Sequence, residues 1–558
     1  MVLQIAHSFN EIKQRFNKIN PFLVAVIFFI LIFFILILFN RDMPSGDASE
    51  YCNNAYRFFK GDLPYKDFWL MFPPGELYFP ALIFFFFGFK YQALFMFLMF
   101  SSALIGFLSF FLARRFTRDN FWAMIIAIIV QFSGVPQFYG PNDGAHIYLL
   151  FLLVAALFFF KDKYEMRPLL MFFAGAFIGL ASLCRFFETG AFGLSLLCTT
   201  FWRAYITKAD FKRVIQGLFY LFAGVFFLLF FAYLPLRSVF NSAFEEIIIH
   251  SIRHGTSGVF NLPYFYTTSV FLETLVDIFY APNIFDLSWI TSLAGITWRL
   301  LFNVIYQLLI PLAIIALIVL FIKFKVLSEF EFALLFFVLW GIFSFPKGYA
   351  IPDRAHLSVA VTPLLFGFVL FVKRYCNFKT DRAKVLQNIV CFLAYLSVIL
   401  LLISTPLFIG VSLINGFSSN QYEINAPEEK IFINNKERAA ESNLLIKFVE
   451  DNSEKGDYIF VSPFDTPPLY MFTQRKNPTY YDSTIDLLTN DSSSEEKQKN
   501  ICDDISSKKT KLIIHSDCLL EMWGKCKSNL PILERCINES YSLNRSYGKY
   551  KLYLPRKG

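Results

Sequence analysis

The sequence predicts a polytopic α-helical membrane protein with about eleven spans and a small C-terminal extracytoplasmic α/β domain. Three observations carry that expectation: an apolar composition, long uncharged runs, and basic residues recurring in every second connection. Apolar residues make up 56% of the 558 positions and aromatic ones 19%, above the roughly 45–50% apolar content of soluble domains. Runs such as Val24 to Phe39, Ala93 to Ala113 and Leu308 to Ile322 carry no charge. They approach the ~20 residues that cross a ~30 Å hydrocarbon core, and they are too many to be buried cores.

The first run follows Lys13, Arg15 and Lys18, as a signal peptide would. It exceeds the about 7–15 apolar residues of such a segment and no A-x-A-like site follows, so it reads as a retained anchor. Further spans are expected near 91–113, 121–138, 145–160, 169–184, 190–202, 214–234, 300–322, 330–345, 357–372 and 387–412, after the first at 21–39. The two flanking Arg185 to Gly190 are short enough to suit a tilted or re-entrant pair.

With the N-terminus cytoplasmic, the inside connections hold Arg114, Arg115 and Arg118; Lys161, Lys163 and Arg167; Arg203, Lys208, Lys212 and Arg213; Lys323 and Lys325; and Lys373, Arg374, Lys379, Arg382 and Lys384. The positive-inside rule holds at every turn. It also accounts for the formal net charge of +8, which therefore implies no nucleic-acid partner. The outside segments are 40–90, Tyr139 to Ala145, Arg185 to Thr189, Pro235 to Arg299, Pro346 to His356 and the tail. Chemistry is expected on that face, beside membrane lipid, because the inside connections are short and merely basic.

The chain divides into a membrane part, 1–414, and a tail, 415–558. In the tail, Asp457 to Ser462, Thr510 to His515 and Lys549 to Leu554 read as short strands, Ala439 to Glu450 as helix, and Asn490 to Lys499 as a polar loop. Cys502, Cys518, Cys526 and Cys536 all fall there, and on an oxidising side they suggest two disulfides. Free thiols or a metal are the alternatives, the metal disfavoured because no C-x-x-C pair occurs. Cys184, Cys198, Cys376 and Cys391 sit in or beside spans, where small apolar packing suffices.

The first outer segment opens with Gly46-Asp47 directly after the first span. From Ala48 to Lys60 the residues Ala48, Tyr51, Cys52, Ala55, Tyr56, Phe58 and Phe59 mark one apolar face, as on a helix lying in the interface, and Gly61 ends it. Asp62-Leu63-Pro64-Tyr65-Lys66-Asp67 and Pro73-Pro74-Gly75-Glu76 follow, then an apolar stretch to Phe87 that suits a second interfacial helix. This order resembles the GT-C superfamily of membrane glycosyltransferases, relatives of the protein O-mannosyltransferases and lipid A aminoarabinose transferases. The likeness continues in Tyr139-Gly140-Pro141-Asn142-Asp143, in the Gly179 to Arg185 span end, in Pro346 to Leu357 and, in the tail, in Leu469 to Arg475.

The resemblance implies an inverting glycosyl transfer from a polyprenyl-phosphate sugar to a cell-envelope acceptor at the periplasmic face of a bacterial inner membrane. A carboxylate must then take the acceptor hydroxyl's proton, and donors must hold the anionic phosphate. By family position Asp47 is the expected base, with capping of a helix beginning at Ala48 as its plainer role. Asp143 and Glu76 are candidate substrate contacts, against a solvated turn residue and an interfacial carboxylate respectively. Arg185, Lys347 and Arg354 are candidates for the phosphate, against snorkelling to ordinary headgroups. Asp353 and His356 share the loop of Arg354. His146, three residues after Asp143, has a metal-compatible spacing but more simply hydrogen-bonds at a span top. No metal ligand is assigned: the D-x-D of oligosaccharyltransferase relatives is missing, which leaves a divalent metal open, and no other cofactor is implied.

Two rival functions remain. An O-antigen ligase or polymerase usually carries its main loop late in the chain, whereas here the acidic pattern lies in the first. A transporter places ionisable residues near the midplane, whereas these charges avoid the span centres. The basic connections generate one prediction: a reporter active only outside the cytoplasm, fused after Gly558, gives signal. Signal from a cytoplasmic reporter instead overturns this topology.

Overall fold

Proline and short polar side chains start the helices. In the computed structural model, Pro21 opens the first, and the Asn20 side chain accepts the Phe22 N–H at 2.9 Å. The structure describes the chain apart from residues 1–10, 40–45, 139–143, 162–164, most of 246–327, 351–353, most of 376–420, 482–492, and single or paired positions elsewhere. Its helices are α1 (Pro21–Phe39), α2 (Asp47–Phe59), α3 (Gly75–Phe87), α4 (Tyr91–Thr117), α5 (Asn120–Ser133), α6 (Ile147–Lys161), α7 (Pro168–Cys184), α8 (Phe186–Thr207), α9 (Phe211–Tyr233), α10 (Glu329–Ala350) and α11 (Arg354–Tyr375). Nine of the eleven expected spans fall on these helices; 300–322 and 387–412 lie almost entirely outside the described residues. Five helical stretches, in α1, α4, α9, α10 and α11, are long and apolar enough to cross a membrane by themselves.

On α1, Val24, Phe28, Ile32 and Leu36 recur every fourth residue and are buried, while Phe22, Leu23 and Phe34 face outward. The buried stripe packs on α4, and Phe29 meets Phe100 edge to face at 5.3 Å. Helices α7 and α9 approach until their backbones touch. A Cβ on Gly224 would strike the Phe172 carbonyl, and one on Gly175 the Leu221 carbonyl. Small residues provide this contact where lipid removes the hydrophobic drive between helices.

The connection expected at Arg185 to Thr189 is reduced to one residue. Arg185 alone is extended (φ −143, ψ 106), and α8 begins at Phe186, so Glu188 and Thr189 are helical. The expected loop Pro346 to His356 also contracts. Its first part is the end of α10 and its last part the start of α11. At the other end of the bundle the basic connections gather: Lys13 pairs with Asp119 at 3.3 Å, Lys373 donates to the Thr117 carbonyl and Arg115 to the Phe160 carbonyl.

The tail builds β1 (Tyr422–Ala426), β2 (Glu429–Ile433), α12 (Lys436–Asn452), β3 (Ile459–Val461), α13 (Leu469–Thr473), α14 (Ser493–Ser507), β4 (Leu512–Ser516), β5 (Leu520–Met522), β6 (Lys525–Lys527), α15 (Pro531–Ser540), β7 (Tyr541–Tyr547) and β8 (Tyr550–Pro555). Strands β3, β4, β8 and β7 form one sheet in that order, with β3 parallel to β4 and the other pairs antiparallel. Alternation divides its residues between two faces. Phe460, Ile513 and Tyr553 join Ile501, Ile505, Leu533 and Ile537 of α14 and α15, whereas Ile459, Val461, Leu512, Ile514 and Leu552 join the core that runs on through α12 into the membrane bundle.

Two expectations for the tail are corrected. Most of the segment read as a polar loop, from Ser493 onward, is the first turns of α14, because Ile501 and Ile505 one turn apart need a helix to reach α15. Gln498 on α14 accepts the Ile532 and Leu533 N–H groups at 3.2 and 3.3 Å and so caps α15. Cys502 and Cys536 are free thiols that hydrogen-bond each other rather than a disulfide, and that contact pushes the Cys502 thiol up. The Cys518 and Cys526 side chains lie outside the described residues.

The tail is docked on the first outer segment. Gly61, with φ +101, ends α2 as expected and lets the chain fold back beneath Arg57. The Arg57 guanidinium then reaches Asp62 at 3.1 Å, the Asp67 carbonyl at 2.7 Å and the tail's Thr479 carbonyl at 3.0 Å, and lies 4.9 Å from the Phe68 ring centre. Trp69 N–H donates to the Tyr480 carbonyl at 2.7 Å. From the tail, Glu429 receives the Tyr91 and Gln92 N–H groups at 2.5 and 3.1 Å, so a tail carboxylate caps α4. Burial raises that carboxyl above the usual range while the two N–H groups pull it back. Arg57→Ala strands buried carbonyls at about 1–3 kcal/mol each and is expected to cost on the order of 2–4 kcal/mol, read as a lower unfolding midpoint and faster proteolytic release of the tail. Wild-type protease resistance in this variant shows that the clamp does not hold the tail.

Candidate active site

Those sequence-predicted residues that the structure describes lie at one end of the bundle, the end that the tail covers. Asp47 is the first residue of α2, after Gly46 (φ 59) at the N-cap position. Asp47 is exposed at the positive end of the α2 dipole, a favourable place for a carboxylate.

Glu76 and Arg185 meet. Gly75 permits this, because a Cβ there would stand 2.5 Å from the Leu183 carbonyl oxygen, so only a glycine lets the start of α3 lie against the end of α7. Glu76 follows in the first turn of α3, and the extended Arg185 turns out of the α7–α8 joint toward it. Arg185 Nη2 lies 3.0 Å from Glu76 Oε1, with both side chains under a tenth exposed, and the guanidinium stacks 3.7 Å from the Phe72 ring centre. A charge placed singly at membrane depth costs about 2.5–3.5 kcal/mol on insertion scales, and here each group supplies the other's counter-charge.

One turn along, Glu188 is 3% exposed, and its Oε1 makes no hydrogen bond. Sequence reading missed it, although a carboxylate three residues past Arg185 in an apolar helix was the available signal. His146 is fully buried, with Nε2 2.7 Å from Ser101 Oγ. Ser101 Oγ donates to the Leu98 carbonyl at 2.8 Å, so it accepts from Nε2–H and leaves Nδ1 as a bare acceptor. That is the plain hydrogen-bonding role rather than a ligand's, and no group of three His, Cys, Asp or Glu side chains stands ready for a metal among the described residues.

Lys347 lies in the last turn of α10, and Arg354 and His356 in the first turn of α11, so the backbone brings them to this same end. Asp353 and Asp143 lie outside the described residues. The antiparallel run of α8 along α10 fixes that end: Phe192 meets Trp340 at 4.9 Å, and Arg203 sits over Phe332 at 5.1 Å.

The buried pair generates a prediction. Glu76→Gln or Arg185→Met alone leaves an uncompensated buried charge and is expected to destabilise by about 3–5 kcal/mol, whereas the double variant recovers most of that loss. Thermal unfolding in detergent reads it, and additive losses would show that the two groups are not coupled.

No protein-family profile matches the sequence, and no curated protein matches it at a significant level. Among solved structures, the chain is similar to ArnT from Cupriavidus metallidurans bound to undecaprenyl phosphate, at 11% identity and a TM-score of 0.51, over 95% of this chain and 97% of that one. With its long apolar helices and this likeness over nearly its whole length, the chain is a polytopic α-helical membrane protein that shares the fold of ArnT.

Proposed function

We propose that this protein is an inverting glycosyltransferase that moves a sugar from a polyprenyl-phosphate donor to a cell-envelope acceptor at the periplasmic face. The observation that carries the reading is the fold likeness across nearly the whole chain to ArnT holding undecaprenyl phosphate, and this chain's own buried ion pair at one end of the bundle supports it. Fold alone supports many activities, so the residues must supply the chemistry.

In this reading Asp47 takes the acceptor hydroxyl's proton while the lipid phosphate leaves. Its exposure at the mouth of α2 suits contact with an incoming acceptor. Arg185 faces the donor phosphate, its charge held in place by Glu76 until substrate arrives, and Lys347 and Arg354 add cations from the α10–α11 turn. Asp143, Asp353 and His356 complete the proposed substrate contacts. The tail, spread over α2 and α4, leaves entry from the lipid side. A transporter is the poorer reading, because the buried charges Glu76, Arg185 and Glu188 lie at one end of the bundle and not at its midplane.

Asp47→Asn tests the base. Asn keeps the shape and helix-capping ability of Asp, so folding is expected to be unchanged. Turnover with saturating donor is expected to fall about 10²–10⁴-fold, or about 2.7–5.5 kcal/mol of transition-state stabilisation, with donor affinity retained. A panel of polyprenyl-phosphate sugars, with mass spectrometry of candidate acceptors, provides the assay. Turnover within a few-fold of wild type would remove Asp47 from the role and pass it to Asp143.

A further inference from the structure

Buried polar groups without partners are costly, and two of them occur at one level of the α8–α10 seam. Glu188 of α8 is 3% exposed, and no ion pair or hydrogen bond engages its Oε1 among the described residues. Ser344 of α10 is fully buried, and its Oγ is likewise unpartnered. Register brings them together. Phe192 packs on Phe336 and Trp340 at 5.2 and 4.9 Å; one turn nearer the bundle end, Glu188 is the next residue on that face of α8, and Ser344 is the next on α10. In the described residues the nearest cation by sequence, Arg185, is already committed to Glu76.

Among the described residues no donor compensates this carboxylate oxygen, and a ligand's donors can do so. Lipid chains offer no donor. The ionised phosphate of a donor lipid offers none to a carboxylate either, because its oxygens only accept. A neutral sugar offers what is missing: adjacent hydroxyls, two of which suit the two oxygens of one carboxylate, and an oxygen able to accept from a serine hydroxyl. We propose that Glu188 and Ser344 form a sugar-recognition subsite, in which Glu188 accepts hydrogen bonds from hydroxyls of the transferred sugar and Ser344 bonds a neighbouring ring substituent. Glu188 is here a specificity residue that takes no proton in the reaction. The subsite rests on the glycosyltransferase reading, and it places the sugar beside Arg185, with the phosphate on the far side of that guanidinium from Glu188.

The test uses the full-length protein in nanodiscs and undecaprenyl-phosphate-linked mannose, glucose and arabinose, each with its monodeoxy forms. The wild type is expected to transfer at least one sugar and to reject a deoxy form of it. Glu188→Gln and Ser344→Ala are expected to keep the fold, read from the unfolding midpoint, and to raise KM for that donor about ten- to a hundred-fold with kcat changed only a few-fold. They are also expected to lose most of the discrimination against the deoxy form, which a merely structural role would not move. Wild-type KM and unchanged discrimination in folded Glu188→Gln overturn the subsite while leaving the transferase reading intact. Should Glu188→Gln fail to fold, Ser344→Ala alone decides by the same two readouts. No transfer from any donor by the wild type, with Glu188→Gln binding every donor as the wild type does, overturns both.

Discussion

The rest of the molecule depends on a single cation, Arg57, held under the tail domain. Its guanidinium is 5% exposed and joins the end of α2, the turn that follows and the Thr479 carbonyl of the tail. Five donors in a planar fork serve three partners at once, which a lysine ammonium cannot do with the same geometry. Because α2 is held, the chain after it is placed. Tyr65, Phe68 and Leu70 pack with Leu77 and with Leu236 and Val239, and the Tyr78 hydroxyl donates to the Ala232 carbonyl at 2.6 Å. Glu76 follows directly from that placement and arrives at Arg185.

Lipid makes this sequence of contacts necessary. In water an exposed Arg–Glu pair contributes little, but between two side chains under a tenth exposed each charge needs the other as compensation. The same argument marks Glu188 and Ser344 as unusual. Many buried hydroxyls of the bundle return a hydrogen bond to their own helix, as Ser182, Thr189, Ser195, Thr199 and Thr362 do at 2.6–2.9 Å. Ser344, like Ser109 and Thr200, does not.

Much of the architecture was legible because membrane helices announce themselves locally. The α1 run, the α2 helix with its Gly61 stop, and the strands at Ile459, Leu512 and Tyr550 all lie where hydropathy period and turn chemistry put them, although α2 also buries Asn53, Asn54 and Arg57. The sidedness of the basic connections was equally plain, since each cluster needs only its own charge. Legibility failed wherever a residue's state depended on a distant partner. The polar start of α14 reads as loop until α15 is there to cover Ile501 and Ile505, and the cysteine spacing says nothing of which thiols meet.

At the site the division is sharper. The sequence by itself determined that Asp47, Glu76 and Arg185 belong to one side of the membrane, because the charges of the connections sort the spans between them. Only the tertiary structure decided that Glu76 and Arg185 are a pair, and that Glu188 is a buried carboxylate and not a loop residue. The physical reason is range. Hydrophobicity and charge sorting act on each segment against lipid and water, and a single sequence displays them. Counter-charge, burial and hydrogen-bond satisfaction act between segments more than a hundred residues apart, and they exist only once the Gly75 backbone lies against Leu183.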